Sequence, residues 1–198
     1  AISNASAITG NAVDVFIYDT SNDSDGGAWR KRTQATSWYN ETLNTATRGS
    51  RKEFPSVAVI VVDNDVPSNL TIYDGDTPDL DMWMIFTMHG SSWMDYDNSG
   101  TTYNIAALNG QLCIAKFYNG GSTATYSGLG IVNFLEDSLL KMTNNISGTG
   151  VGKSTANIAN RNDSFRKIAS INSYQLVNYA CNDVAMTVLP NAPIDSTT

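Results

Sequence analysis

The residues with the most chemical promise lie at Ser147–Thr155, SGTGVGKST. A phosphate-binding loop needs glycines whose backbone N–H groups, with one lysine, cradle phosphates at the start of a helix. Lys153 and Ser154 stand where that loop wants them, but the first glycine of the pattern falls on Ser147. The sequence that follows, TANIANRNDS, is a poor helix former. The stretch therefore reads as a Gly-Ser loop. Carboxylate pairs such as Asp79 and Asp81 have the types a glycosidase uses as acid and base. With sixteen aspartates in the chain, coincidental pairs are expected.

Other chemistries lack parts. His89 is the sole histidine, and no nucleophile-elbow serine is present to work with it. Two cysteines and one histidine are too few for a structural zinc site. Asp19, Asp23 and Asp25 form one oxygen-rich cluster, and Asp95, Asp97 and Ser99 another, as calcium would want. Neither has the glutamate that closes an EF-hand loop, and aspartate commonly caps its own backbone in turns. The expectation is no catalytic residue, no metal site and no cofactor.

The elements that must position any site are strands. The chain has 198 residues, 41% of them apolar and 16% charged. Three glutamates stand against sixteen aspartates, and aspartate belongs in turns where glutamate belongs on helices. Strand-like runs fall at Val13–Asp19, Ser56–Val62, Leu70–Asp74, Met82–Met88, Asn104–Leu108, Gln111–Tyr118, Leu129–Leu135 and Ser138–Met142, with further candidates at Phe165–Val177 and Ala185–Leu189. Asn109-Gly110 between two such runs is a hairpin turn, and Glu136-Asp137 turns a second hairpin. Ser91–Thr102 and Asn144–Asn162 read as long loops. The expected fold is all-β, of short antiparallel strands and hairpins, arranged as a β-sandwich or as β-propeller blades. Residues 1–12 read as a flexible arm, 13–189 as a single β-rich domain and 190–198 as a linker.

One segment departs from this pattern. Residues 20–55 form a long insert between two strands, with six of the twelve Lys and Arg and two of the four Trp. A short helix over Ala35–Thr47 is the only regular element it suggests. Trp29, Arg30, Arg32, Trp38, Tyr39, Arg48 and Arg51 are its contact-forming residues, since Arg and Trp together supply area and hydrogen bonds at interfaces. The alternative is a structured loop that its tryptophans pin to its own core.

The totals narrow the partners. A net charge of −7 argues against nucleic acid. No run reaches the roughly 18 apolar residues of a membrane helix, and the N-terminus lacks the pattern of a secretory signal. The missing initiating Met suits a processed chain or a piece of a longer one. Cys113 and Cys181 read as two thiols rather than a disulfide framework.

The string VFIYDTSNDSDGGAWRKRTQATSWYNETLNTATRGSRKEFPSVAVIV, Val15–Val61, resembles the opening segment of marine bacteriophage structural proteins of the cyanophage and pelagiphage podovirus kind. TIYDGDTPDLDMWMIF, LNGQLCIAKF and NDVAMTVLPNAPID extend the likeness over most of Val13–Asp195. The resemblance implies a non-enzymatic, tail-associated virion component with β-propeller-like segments. Its partners would be other virion proteins or copies of itself. A second expectation is a receptor- or glycan-binding module for host attachment, with Trp93, Tyr96 and Tyr103 stacking on sugar rings.

Overall fold

The alternation in Val13–Asp19 sets the geometry of the first sheet. On a strand, successive side chains face opposite ways. Asp14, Phe16 and Tyr18 therefore point to one side and Val15 and Ile17 to the other, while Val13 is the extra residue at a register shift between Ala12 and Asp14. The computed structural model describes residues 12–63, 69–87, 101–118, 128–142, 152–153, 157–162, 176 and 181–188, with backbone alone at 101–103, 117–118 and 152–153. The arm and linker expected at the termini lie outside these residues, apart from Ala12, which opens the first strand.

The protein is all-β. Strands β1 (Ala12–Asp19), β2 (Val57–Asp63), β3 (Asn69–Asp74) and β4 (Met82–Thr87) form an antiparallel sheet in that order. Strands β5 (Thr101–Leu108), β6 (Gln111–Tyr118), β7 (Gly128–Asn133), β8 (Ser138–Met142) and β9 (Gly152–Lys153) form a second. Within each sheet neighbours in space are neighbours in sequence. That is the up-and-down order of a propeller blade, whereas a Greek-key sandwich brings a fourth strand back beside the first. At the β5–β6 turn Asn109 has φ 53° and Gly110 φ 71°, the positive values a two-residue hairpin requires. A Cβ on Gly110 would also run into the side chains of Leu135 and Trp29.

Several expectations are corrected here. The presumed loop at Ser91–Thr102 already carries the start of β5 at Thr101. The long loop at Asn144–Asn162 contains β9 and a 3-10 turn at Ile158–Asn160. The helix expected over Ala35–Thr47 is only a 3-10 turn at Trp38–Asn40. Residues 185–188 do not form a strand. Phe165–Val177 falls outside the described residues, except at 176.

The two sheets stack face to face. Ala58, Ile60, Val62, Leu70, Ile72, Met84 and Phe86 from the first meet Ile105, Ala107, Leu112, Ile114, Val132 and Leu139 from the second. The sheets approach most closely along β1 and β5, where Ile105 N donates to Asp14 Oδ2 at 2.8 Å. The rest of the space is filled by the insert. Trp29, Trp38 and Phe54 enter from it and meet Trp83 of β4 and Phe134, with ring centroids 4.8 to 6.5 Å apart.

Candidate functional site

The insert is built from local hydrogen bonds. Asp19 caps its first 3-10 turn by accepting from Ser21 N at 2.9 Å. Gly27, at φ 78°, precedes the second turn, Ala28–Arg32. Asp23 is its central tie. Asp23 Oδ2 accepts from Tyr18 Oη at 2.7 Å and from Trp29 Nε1 at 2.6 Å, while Oδ1 accepts from Asn109 N at 2.7 Å. Tyr18 Oη in turn accepts from Gly110 N at 2.8 Å. One carboxylate thus joins β1, the insert and the β5–β6 turn. Burial raises the Asp23 carboxyl above its ordinary value, against the hydrogen bonds it accepts, and burial also raises the Tyr18 phenol. Of the aspartates weighed as calcium ligands, Asp23 is spent on this tie, Asp19 on its cap and Asp25 on Arg32. Asp95 and Asp97 lie outside the described residues. Among the described residues no group of three or more His, Cys, Asp or Glu is placed to hold a metal ion.

The tryptophans are interior. Trp29 is 2% exposed and Trp38 0%, and Trp38 Nε1 donates to Phe134 O at 2.9 Å. Arg48 is 1% exposed. Its guanidinium lies 4.4 Å above the Trp83 ring and donates to Trp83 O and Lys52 O, both at 2.8 Å. Arg161, also 1% exposed, donates to Glu41 Oε1 at 2.6 Å, Ile85 O at 2.7 Å and Thr47 O at 2.9 Å. Glu41 Oε2 sits 3.6 Å from Arg48 Nε, completing a buried Arg–Glu–Arg triad. Burial brings the Arg48 guanidinium down to about 10, while Glu41 pulls it back up. Trp29, Trp38 and Arg48 are therefore used inside the chain and offer a partner no surface. The expectation of a loop pinned to its own core describes them.

The same segment also covers a sheet edge. Ile85 N donates to Thr47 O, and Gly49 N to Trp83 O, each at 2.9 Å. A Cβ on Gly49 would collide with Met82 O, so only glycine allows the chain to run this close to β4. Asn162 completes the cover by donating to Ile85 O and accepting from Thr87 N. Covering an edge strand in this way blocks unwanted pairing.

The remaining insert residues reach the surface. Arg30 is partly buried, donating to Phe54 O at 2.9 Å, and Tyr39 is half-buried beside Trp38. Arg32 is exposed and pairs with Asp25 at 3.0 Å. Arg51 Nη1 reaches Asp74 at 2.9 Å and Asp76 at 2.6 Å. Asp76 also accepts from Ser56 N and Val57 N and has a short contact with Ser56 Oγ. Partial burial alone would raise the Asp76 carboxyl. The Ser56 hydroxyl and amide, Arg51 and the Val57 amide outweigh it and hold the carboxyl well below the usual range.

The other candidates are placed as follows. Trp93, Tyr96 and His89 lie outside the described residues. Tyr103 sits on β5 opposite Lys116, its side chain undescribed. Lys153 of the phosphate-loop look-alike lies in β9, paired with Leu140, so Gly152 and Lys153 belong to a sheet edge. Asp79 and Asp81 stand exposed in the β3–β4 turn.

A feature that no motif marks lies on the outer side of β1. There Val15 pairs with Val61 and Ile17 with Val59. Val59 and Val61 are buried with Tyr73 and Leu80, while Val13 and Ile17 of β1 are 41% and 40% exposed. The signal was present in the alternation of the strand, which puts Val15 and Ile17 on the face opposite the core.

No protein-family model, curated protein or solved structure matches the chain.

Proposed function

We propose that this chain is a non-enzymatic structural subunit of a bacteriophage virion, in its tail, acting through sheet-to-sheet contact with a neighbouring copy. The phage setting rests on the likeness of the Val15–Val61 string and its companions to phage structural proteins. The contact rests on one observation, the exposed Val13 and Ile17 of β1. The inner side of the same sheet already packs on a meander of like construction. Two blades do not close a propeller, which typically needs four or more, and since Val59 and Val61 on the outer side are already buried, the part left to be met is the β1 edge. A row of β-branched residues at the end of a sheet is what such a meander would cover.

Sedimentation of the full chain with Val13→Asp and Ile17→Asp tests the contact. The unsubstituted chain is expected to associate as its concentration rises, and the variant to remain monomeric with an unchanged melting temperature. Equal association of both would overturn the contact. An antibody against the chain should label purified particles, and unlabelled particles would overturn the setting. A monomeric chain that instead binds host polysaccharide on an array would replace this reading with glycan attachment through Trp93, Tyr96 and Tyr103.

A further inference from the structure

The outer face of the second sheet carries Cys113, and the segment that holds Cys181, the other cysteine of the chain, is anchored to the same face. Ala106 pairs with Cys113 across β5 and β6, and Asn104 with Ala115, so Asn104, Ala106, Cys113 and Ala115 share one face. That face is opposite the core residues Ile105, Ala107, Leu112 and Ile114. Ala106, Cys113 and Ala115 are nevertheless buried, at 6%, 6% and 1% exposure. The segment 181–188 is anchored to this face at Asn104, where Val184 N donates to Asn104 Oδ1 at 3.3 Å. Cys181 stands three positions before that anchor, half-buried, its thiol near Asp183 O at 3.7 Å. Both thiols are unbridged.

We propose that Cys113 and Cys181 form a redox latch, closing an intrachain disulfide that fastens the segment 181–188 onto the outer face of the second sheet. The oxidant is a small disulfide such as oxidised glutathione, which acts where reducing systems are absent. The Cys181 thiolate, the more accessible, attacks one sulfur of that disulfide and expels one glutathione thiolate, which takes up the proton that Cys181 lost. The Cys113 thiolate then attacks Cys181 Sγ in the mixed disulfide and expels the second glutathione, which is protonated likewise. Two protein thiols are oxidised to one disulfide, and one glutathione disulfide is reduced to two thiols. Burial pushes the Cys113 thiol up to about 11, with Cys181 adding to the effect, so the second step is the slow one near neutral pH. Latching therefore accelerates with pH, about tenfold per unit, while the Cys113 thiolate remains the minor form.

The test is timed oxidation of the full chain by oxidised glutathione, read by intact mass and by mapping of the cross-linked peptides. The expected product is a monomer lacking two hydrogens, with Cys113 joined to Cys181. It should form about tenfold or more faster in the native chain than in guanidinium, because folding holds the thiols together. Cys113→Ala should stop the reaction at a glutathione mixed disulfide on Cys181. A lasting mixed disulfide in the unsubstituted chain would overturn the latch. So would cross-linking no faster than in guanidinium, or cross-links between chains in place of the internal one. The latched chain should also resist proteolysis across 181–188, and equal cleavage of both forms would count against fastening.

Discussion

The insert has two sides, and each uses arginine and carboxylate differently. Inside, Arg48 and Arg161 are each 1% exposed around Glu41, and most of their hydrogen bonds end on backbone carbonyls. Outside, Arg51 is 33% exposed and meets Asp74 and Asp76 through a single nitrogen. A buried charge must have its partners, because desolvation leaves several kcal/mol to recover. A surface pair gains and loses little, because water competes for both groups. The buried cluster therefore fixes where the insert lies, tying residues 41–48 to Arg161 and to β4. The surface cluster orders a turn. Chemistry of the same kind thus serves as a structural joint on one side and as trim on the other.

The largest test of this contrast is to open the buried side. Trp38→Ala removes an indole at 0% exposure and its bond to Phe134 O, and should cost about 3–5 kcal/mol in chemical denaturation. A loss under about 1 kcal/mol would mean the wedge is not part of the core. It also follows that trimming residues 20–55 should destroy the cooperative transition, where a purely external insert could be cut away. Glu41→Ala should cost about 3–5 kcal/mol, because it leaves two buried guanidinium groups facing each other. Replacing Glu41, Arg48 and Arg161 together with Leu, Met and Leu should cost far less than that single change. If the triple variant proves the worse of the two, the ion triad itself is the source of stability.

How much of this could be read beforehand varied with range. The strands at Val57–Asp63 and Met82–Thr87 followed from unbroken apolar runs, and the β5–β6 hairpin from Asn109-Gly110. These signals are local. The insert was visible too, as an island of Trp and Arg, but its direction was not. Trp and Arg suit an interface as well as a core lid, and only the folded chain distinguishes them. Arg161 carried no mark at all, since its partner Thr47 O lies 114 positions away. The same distance effect concealed the anchoring of Val184 to Asn104, 80 positions away. Val15 and Ile17 were legible as one face of a strand, but which face the core would claim depended on the second sheet.

Two carboxyls separate the sides again by acidity. Asp76 is held below its ordinary 3.8, so its contribution is present above that value and fades as pH falls toward its folded value. Asp23 is raised above 3.8, so its contribution is present below that value and is lost as pH climbs through its folded value. Asp76→Asn should cost about 1 kcal/mol or less at neutral pH and flatten the loss of stability between neutral pH and acid. An unchanged acid slope would remove Asp76 from the account.

The smallest effect belongs to the pair with the most exposed arginine. Arg32 is 50% exposed beside Asp25, and Arg32→Ala should change stability by no more than about 0.5 kcal/mol. That near-silence is informative, because Arg32 and Arg48 come from one segment and both face a carboxylate. If Arg32→Ala proved as damaging as Glu41→Ala, burial would not be what distinguishes the two sides. If it instead left stability unchanged but weakened association of the full chain, the contact surface would extend from β1 onto the insert's exposed arginines, making the outer side of the insert an interface after all.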